Sequence, residues 1–309
     1  MADLILHHYT ISPFSEKVRK VLAYKQLDWQ SVTVPSIAPK PDVVALTGGY
    51  RKTPVLQVGA DIYCDSALIC DVLEHRQPSP SLSPPSHKGL ARVLAQWADT
   101  TLFTAAMAYC FQPRGREQLF GHVPPEVGLA FAEDRAKMRG GVPHLRPGDA
   151  TSAYKSYLRR LASMLEDLPF LVGTAPCLAD FAAYAPLWFT RFNVPALAPI
   201  LDATPNVLDW MDHMAALDHP PIQQLSSEDA VALAAQSTPL PLETEVFQDD
   251  HGIPLGSRVS VQAESFGPEA SEGELVAATR MHITLRREDS RAGTVHVHFP
   301  RIGYVLKAI

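Results

Sequence analysis

The dipeptide Ser12-Pro13 restricts the fold of this chain more than any other feature, because it separates a strand-like run from a helix-period run. Residues 4–9 form a short, apolar-rich strand candidate. Ser12 carries a small hydroxyl suited to capping a helix, and a proline is preorganised for the first helical position. Phe14, Val18, Val21 and Leu22 then recur at helical spacing, which predicts a helix to about residue 25 with one apolar stripe. A second strand is expected over 28–34, and strand–helix–strand order implies a parallel pair. The stretch 35–52 bears Pro and Gly and has room for one short irregular helix. Residues 55–58 and 61–63 flank Gly59-Ala60 as the arms of a hairpin, and 66–74 reads as a closing helix.

Composition changes twice along the 309 residues, which are enough for two or three domains with their own cores. Between 77 and 85 Pro and Ser dominate, as expected of a linker with little freedom to form a helix. Beyond it the pattern is mainly helical to about 233. Leu90, Val93, Leu94, Trp97, Thr101 and Leu102 are read as one apolar face. Tyr154, Leu158, Leu161 and Leu165 mark another helix, 178–189 a third and 205–217 a fourth. The Gly- and Pro-rich stretch 140–148 reads as a loop. A second boundary falls near Pro239 and Pro241, after which apolar residues alternate: Val259, Val261, Ala263; Met281, Ile283, Leu285; Val295, Val297, Phe299; Ile302, Tyr304, Val305, Leu306. Alternation punctuated by Gly, Asp and Ser predicts a small all-β appendage of four or five strands, an open barrel or a packed sheet.

Several function classes are disfavoured at once. A net charge of -6 argues against a dedicated nucleic-acid binder, which would show a basic face. Apolar residues at 46% and charged residues at 19% describe an ordinary globular chain, and no apolar run approaches a membrane span. The start of the chain lacks a basic region followed by an apolar stretch and a cleavage site, so export is not expected. Cys64, Cys70, Cys110 and Cys177 form no CxxC and no metal-ligand spacing. They read as buried thiols in a reducing compartment, which predicts a cytoplasmic protein.

Three segments carry the chemistry: Ser12-Pro13-Phe14-Ser15-Glu16-Lys17-Val18-Arg19, Lys52-Thr53-Pro54-Val55-Leu56 and Asp65-Ser66-Ala67-Leu68-Ile69. Their order and spacing resemble the glutathione-binding domain of the soluble glutathione transferases, a resemblance that covers roughly 1–235. It implies a thioredoxin-like domain over 1–78 and an all-α domain over 86–236; the β domain that the alternation predicts over 245–309 is one the usual two-domain transferase lacks. Glutathione reacts as a thiolate, yet a free thiol near pKa ~8.5 is mostly protonated at neutral pH. A hydroxyl donating to sulfur at a helix N-terminus corrects this, since the free N–H groups and the dipole favour negative charge there. By the resemblance Ser12 is the catalytic residue, with Ser15 and Tyr9 as competitors and a simple helix cap as the plain alternative. Phe14 is expected as a wall of the pocket or as a core residue. Thr53-Pro54 resembles the segment in which the family keeps a cis proline and pairs its backbone with the cysteinyl unit of glutathione, like an added strand. Relatives often have Val where this chain has Thr53, a mild departure because both are β-branched. Asp65 and Ser66 stand at a helix start where Ser66 can cap, and beyond that plain role they resemble the acid–hydroxyl pair that meets the γ-glutamyl amino and carboxylate groups. Lys52, with Arg51, is a candidate for the glycine carboxylate.

Other features read as structural. His296 and His298 share a strand face without an evident third ligand, and His7 and His8 point to opposite faces, so no metal is expected. Trp97, Trp188 and Trp210 are read as helix core, and Asp180 as a first-turn acid whose cap is weakened by Cys177. The resemblance therefore implies a glutathione transferase-like enzyme, with glutathione as co-substrate, that activates a thiol for attack on a small electrophile by conjugation or isomerisation. A homodimer is implied too. The rival reading is a non-catalytic glutathione-binding or scaffold protein that engages a partner through the β domain. The electrophile and the role of that domain are not legible here.

Overall fold

The computed structural model describes residues 3–139, 145–219, 221–242, 246–247 and 250–309. The first part of the chain forms β1 (Ile5–His8), α1 (Pro13–Tyr24), β2 (Gln30–Thr33), α2 (Pro41–Thr47), β3 (Val55–Val58), β4 (Asp61–Cys64) and α3 (Ser66–Arg76). β1 pairs parallel with β2 and antiparallel with β3, which turns back on β4 through the expected hairpin. Ser12 caps α1, its Oγ accepting from the Ser15 N–H at 3.2 Å, and Val18, Val21 and Leu22 are buried beneath the helix. Lys25, just beyond α1, is itself buried. Its ammonium donates to the Glu74 carboxylate and to the Gln77 and Pro80 carbonyls at 2.6, 2.6 and 2.9 Å, so the Pro- and Ser-rich stretch after α3 is tied down. That satisfies a buried charge which would otherwise be costly.

The helical part comprises α4 (Lys88–Trp97), α5 (Phe103–Cys110), α6 (Pro113–Phe120), α7 (Pro125–Arg139), α8 (Pro147–Met164), α9 (Leu178–Trp188) and α10 (Pro205–Ala215). α9 is apolar on all sides and lies at its centre, in contact with α1 and α4. The apolar face read over 90–102 holds in part: Leu102 is buried and Leu94 and Trp97 pack against the core, but Leu90 and Val93 are 48% and 64% exposed, while Ala91, Ala95 and Ala98 are buried. Small side chains let α4 approach α9 closely, so alanine rather than leucine marks the inward face. Asp180 accepts from the Cys177 N–H, the Leu171 N–H and Trp210 Nε1 at 2.9, 2.9 and 3.0 Å, which closes the start of α9 and explains the buried Trp210. Gly140 to His144, inside the expected loop, lie outside the described residues, and Pro147-Gly148 already belong to α8.

After α10 come β5 (Gln223–Gln224), α11 (Ser227–Ala235), β6 (Arg258–Ala263), β7 (Ser271–Ala278), β8 (His282–Asp289), β9 (Gly293–Pro300) and β10 (Tyr304–Ala308). The last five strands do not form a separate barrel or sheet. β9 pairs parallel with β4 in the register Asp61↔His296, Ile62↔Val297, Tyr63↔His298. One sheet results, ordered β10-β6-β7-β8-β9-β4-β3-β1-β2-β5. An open strand edge invites uncontrolled pairing, and here the C-terminal strands cover it. Because successive strand residues face opposite sides, the core divides by sheet face rather than by position in the chain. Leu4, Leu6 and Leu56 pack with the helical residues Leu158, Phe181 and Trp210. Ile5, Val32 and Ile62 pack with Val259, Leu285 and Val297.

Candidate functional site

The registers bring the three segments to one end of the sheet. Ser12 follows β1, Thr53-Pro54 enters β3 opposite that end, and Asp65-Ser66 leaves β4, where Cys64 pairs with Val55. Ser12 is 2% exposed and stands at the N-terminus of a 12-residue helix. Its oxygen accepts the capping bond, and no described residue accepts its hydroxyl proton. That proton is available to a ligand atom. The Ser15 hydroxyl is buried with no partner among the described residues, and the Tyr9 hydroxyl accepts from Arg135 Nη2 at 3.4 Å while Lys40 lies over its ring. Phe14 turns toward the helical part and packs on Phe103 with ring centroids 4.5 Å apart.

The Thr53–Pro54 bond is cis. Thr53 is half-buried, and no described residue hydrogen-bonds to its main-chain N–H or carbonyl. Half-buried, these groups are open to solvent or to an added strand.

Asp65, not Ser66, caps α3: its Oδ1 accepts from the Ala67 N–H at 2.9 Å, and Ser66 is the first helical residue. The Ser66 Oγ accepts from Lys17 Nζ at 3.3 Å, and the same ammonium is paired with Asp99 Oδ2 at 2.5 Å. Burial opposes the Lys17 charge, but the Asp99 carboxylate outweighs it and holds the ammonium above its usual range. Burial raises the Asp99 carboxyl, with Lys17 pulling it back, and Asp99 Oδ1 has no partner among the described residues. A cation beside the Ser66 hydroxyl therefore suits a carboxylate, and two acids nearby suit an ammonium.

Arg51 and Lys52 are held by other parts of the chain. Arg51 bridges Asp134 on α7 and Glu269 in the loop before β7, at 2.8 and 2.5 Å. A polar cleft of about 410 Å3 beside Arg51 is lined by Ile37, Ala38, Asp134, Lys137 and Glu269. The Lys52 ammonium lies over the rings of Tyr50 and Tyr304, 5.3 and 4.9 Å from their centroids, and burial lowers its pKa. None of the four thiols is poised as a nucleophile: burial raises Cys64 well above its ordinary value and pushes Cys70, Cys110 and Cys177 up to about 12. His298 is fixed between Asp61 and Thr284, at 2.9 and 3.0 Å. Among the described residues no group of three or more His, Cys, Asp or Glu is arranged to hold a metal.

Sequence reasoning missed Lys17, Asp99, Tyr304, Glu269 and Asp134. Lys17 sits within the first segment, and its place on the helix's buried side was a usable signal. The others come from distant parts of the chain, and nothing local to them marks a site.

A thioredoxin-like half with a hydroxyl at its first helix and a cis proline facing it, followed by an all-α half, defines the glutathione S-transferase class. Residues 6–81 match the glutathione S-transferase N-terminal domain family, and 130–213 match the C-terminal domain family. A GST-like protein from Pseudomonas syringae has a crystal structure that matches all of this chain and all of its own, at 41% identity and a TM-score of 0.84. A glutathione S-transferase from Rhodospirillum rubrum is similar over 69% of this chain and 88% of its own, at 22% identity and a TM-score of 0.52, a likeness of fold. Among curated proteins, FtsZ-localized protein A from Caulobacter vibrioides is 25% identical over 187 residues, 59% of this chain and 75% of that protein. The chain belongs to the glutathione S-transferase family. Its C-terminal strands are shared with the Pseudomonas syringae protein, whose match runs end to end.

Proposed function

We propose that this protein binds glutathione and activates its thiol for attack on a small electrophile, by conjugation or isomerisation. The observation that carries the reading is the free Ser12 hydroxyl proton at the start of α1, on the same sheet end as the unpaired Thr53 backbone. The cysteinyl backbone pairs with Thr53 beside the cis Pro54, which brings the sulfur toward Ser12 Oγ. The hydroxyl donates to sulfur, and the helix N-terminus favours the charge. Ser66 with Lys17 takes the γ-glutamyl carboxylate, Asp65 its ammonium, and Phe14 forms a wall toward the helical half. Lys52 lies too deep under the aromatic rings to be assigned to the glycine carboxylate without a local shift. Glutathione enters as co-substrate. A homodimer in the cytoplasm belongs to the proposal, as the family resemblance implies, and the exposed Leu90 and Val93 on α4 offer such a dimer apolar surface.

A second reading is a non-catalytic glutathione-binding or scaffold protein. The name of the Caulobacter relative, an FtsZ-localized protein, favours it. Calorimetry with glutathione on the parent and on Ser12→Ala separates the two. The enzyme reading expects both forms to bind and only the parent to show the ultraviolet absorbance of bound thiolate at neutral pH. Binding by both without any thiolate signal supports the scaffold, and absence of binding at millimolar glutathione overturns the enzyme.

A further inference from the structure

The C-terminal strands reach back into the candidate site. Tyr304 on β10 is buried, and its hydroxyl donates to Asp65 Oδ2 at 2.9 Å. The Tyr50 ring lies beside that of Tyr304, with centroids 6.3 Å apart, and completes the cluster. Asp65 needs this restraint. Its φ of 79° lies in a region that a non-glycine residue keeps only where its surroundings fix it. One carboxylate oxygen is committed to capping α3, so Tyr304 is the group that orients the other. A carboxylate oxygen accepts more than one hydrogen bond, and Oδ2 keeps capacity for a ligand donor.

The same part of the chain seats the neighbouring cations. Gly267, at φ 71°, lets the loop before β7 close over Lys52: a Cβ there would stand 2.9 Å from Lys52 Cγ and 3.1 Å from Met138 Cε. Glu269 two residues on takes Arg51, and Tyr304 itself lies beneath the Lys52 ammonium. Burial keeps the Tyr304 phenol protonated, raising it well above its ordinary value, so it acts as a donor throughout the working pH range.

We propose that the C-terminal β segment is a constituent of the glutathione site, with Tyr304 the positioning residue that aims the Asp65 carboxylate at the γ-glutamyl ammonium. The inference rests on the reading of Asp65 given above. It accounts for why the strands are welded to the sheet edge next to α3 rather than hung from a linker.

The test compares full-length parent and Tyr304→Phe, which loses one oxygen and keeps the ring. Calorimetry is run with glutathione and with its des-amino analogue, glutaryl-cysteinyl-glycine, which has no ammonium for Asp65. The variant is expected to bind glutathione about tenfold more weakly, the scale of a lost hydrogen bond to a charged group. It is expected to bind the analogue within about twofold of the parent, which also reports that it is folded. Unchanged glutathione affinity overturns the inference, and so does an equal loss for both ligands, which is the mark of a merely structural tyrosine. If the parent takes up neither ligand, the glutathione reading itself is lost and the inference falls with it.

Discussion

At the residue scale, the histidines of β1 show how much the interior constrains protonation. His7 is fully buried, its Nε2 meeting Gln57 Oε1 at 2.8 Å, and His8 meets Ser31 Oγ at 2.9 Å with Arg19 beside its other nitrogen. Burial lowers His7 to about 4; burial and then the Arg19 charge lower His8 to about 4. Both folded values lie below the unfolded 6.5, so the unfolded chain binds more protons between these limits. Stability is therefore complete above pH ~6.5 and falls as pH drops toward ~4. At pH 5 each histidine is expected to withdraw about 2 kcal/mol. Urea unfolding of the parent and His7→Asn at pH 7 and pH 5 checks this. The variant should lose about half as much stability on acidification as these two histidines remove from the parent, and an unchanged pH dependence would contradict the assignment. Legibility at this scale was mixed. The opposite facing of His7 and His8 follows from strand alternation, but their burial on both sides requires knowing that the sheet is covered on both faces.

At the element scale, local chemistry proved a good guide wherever one element determined itself. The Ser12 cap, the helical stripe of Val18, Val21 and Leu22, the hairpin at Gly59-Ala60 and the alternating C-terminal strands stand where the sequence pattern puts them. β7 was the strand not singled out, since Ser271, Gly273 and Leu275 are its inward residues and only one is large and apolar. α4 misled for a related reason: hydrophobicity ranks leucine above alanine, while close helix packing buries the alanines and leaves Leu90 and Val93 outside. The acid–hydroxyl pair was legible as a helix start, but the capping role belongs to Asp65 because the helix begins at Ser66.

At the scale of the whole molecule, the division into consecutive domains is less physical than the division into two sheet faces. The helical half completes one core and the C-terminal strands complete the other, with β1 and β3 contributing to both. No local pattern could announce that β9 joins β4 in parallel, since this pairing links residues more than two hundred positions apart. The Asp61 carboxylate fastens the seam, accepting from the Leu240 N–H at 2.7 Å and meeting His298 Nε2 at 2.9 Å. Shared cores unfold together, so scanning calorimetry of the full chain should give one cooperative transition. Separate transitions for the first 236 residues and for the C-terminal strands would contradict a continuous sheet.

The central claim concerns where a peptide's sulfur comes to rest. A crystal of the protein soaked with glutathione tests it most directly. The account predicts density for the tripeptide along the Thr53 backbone, the γ-glutamyl end against Asp65 and Ser66, and sulfur within hydrogen-bonding distance of Ser12 Oγ. Sulfur lodged at Ser15 or Tyr9 instead, or a groove beside Pro54 that stays without the peptide at saturating concentration, would contradict it.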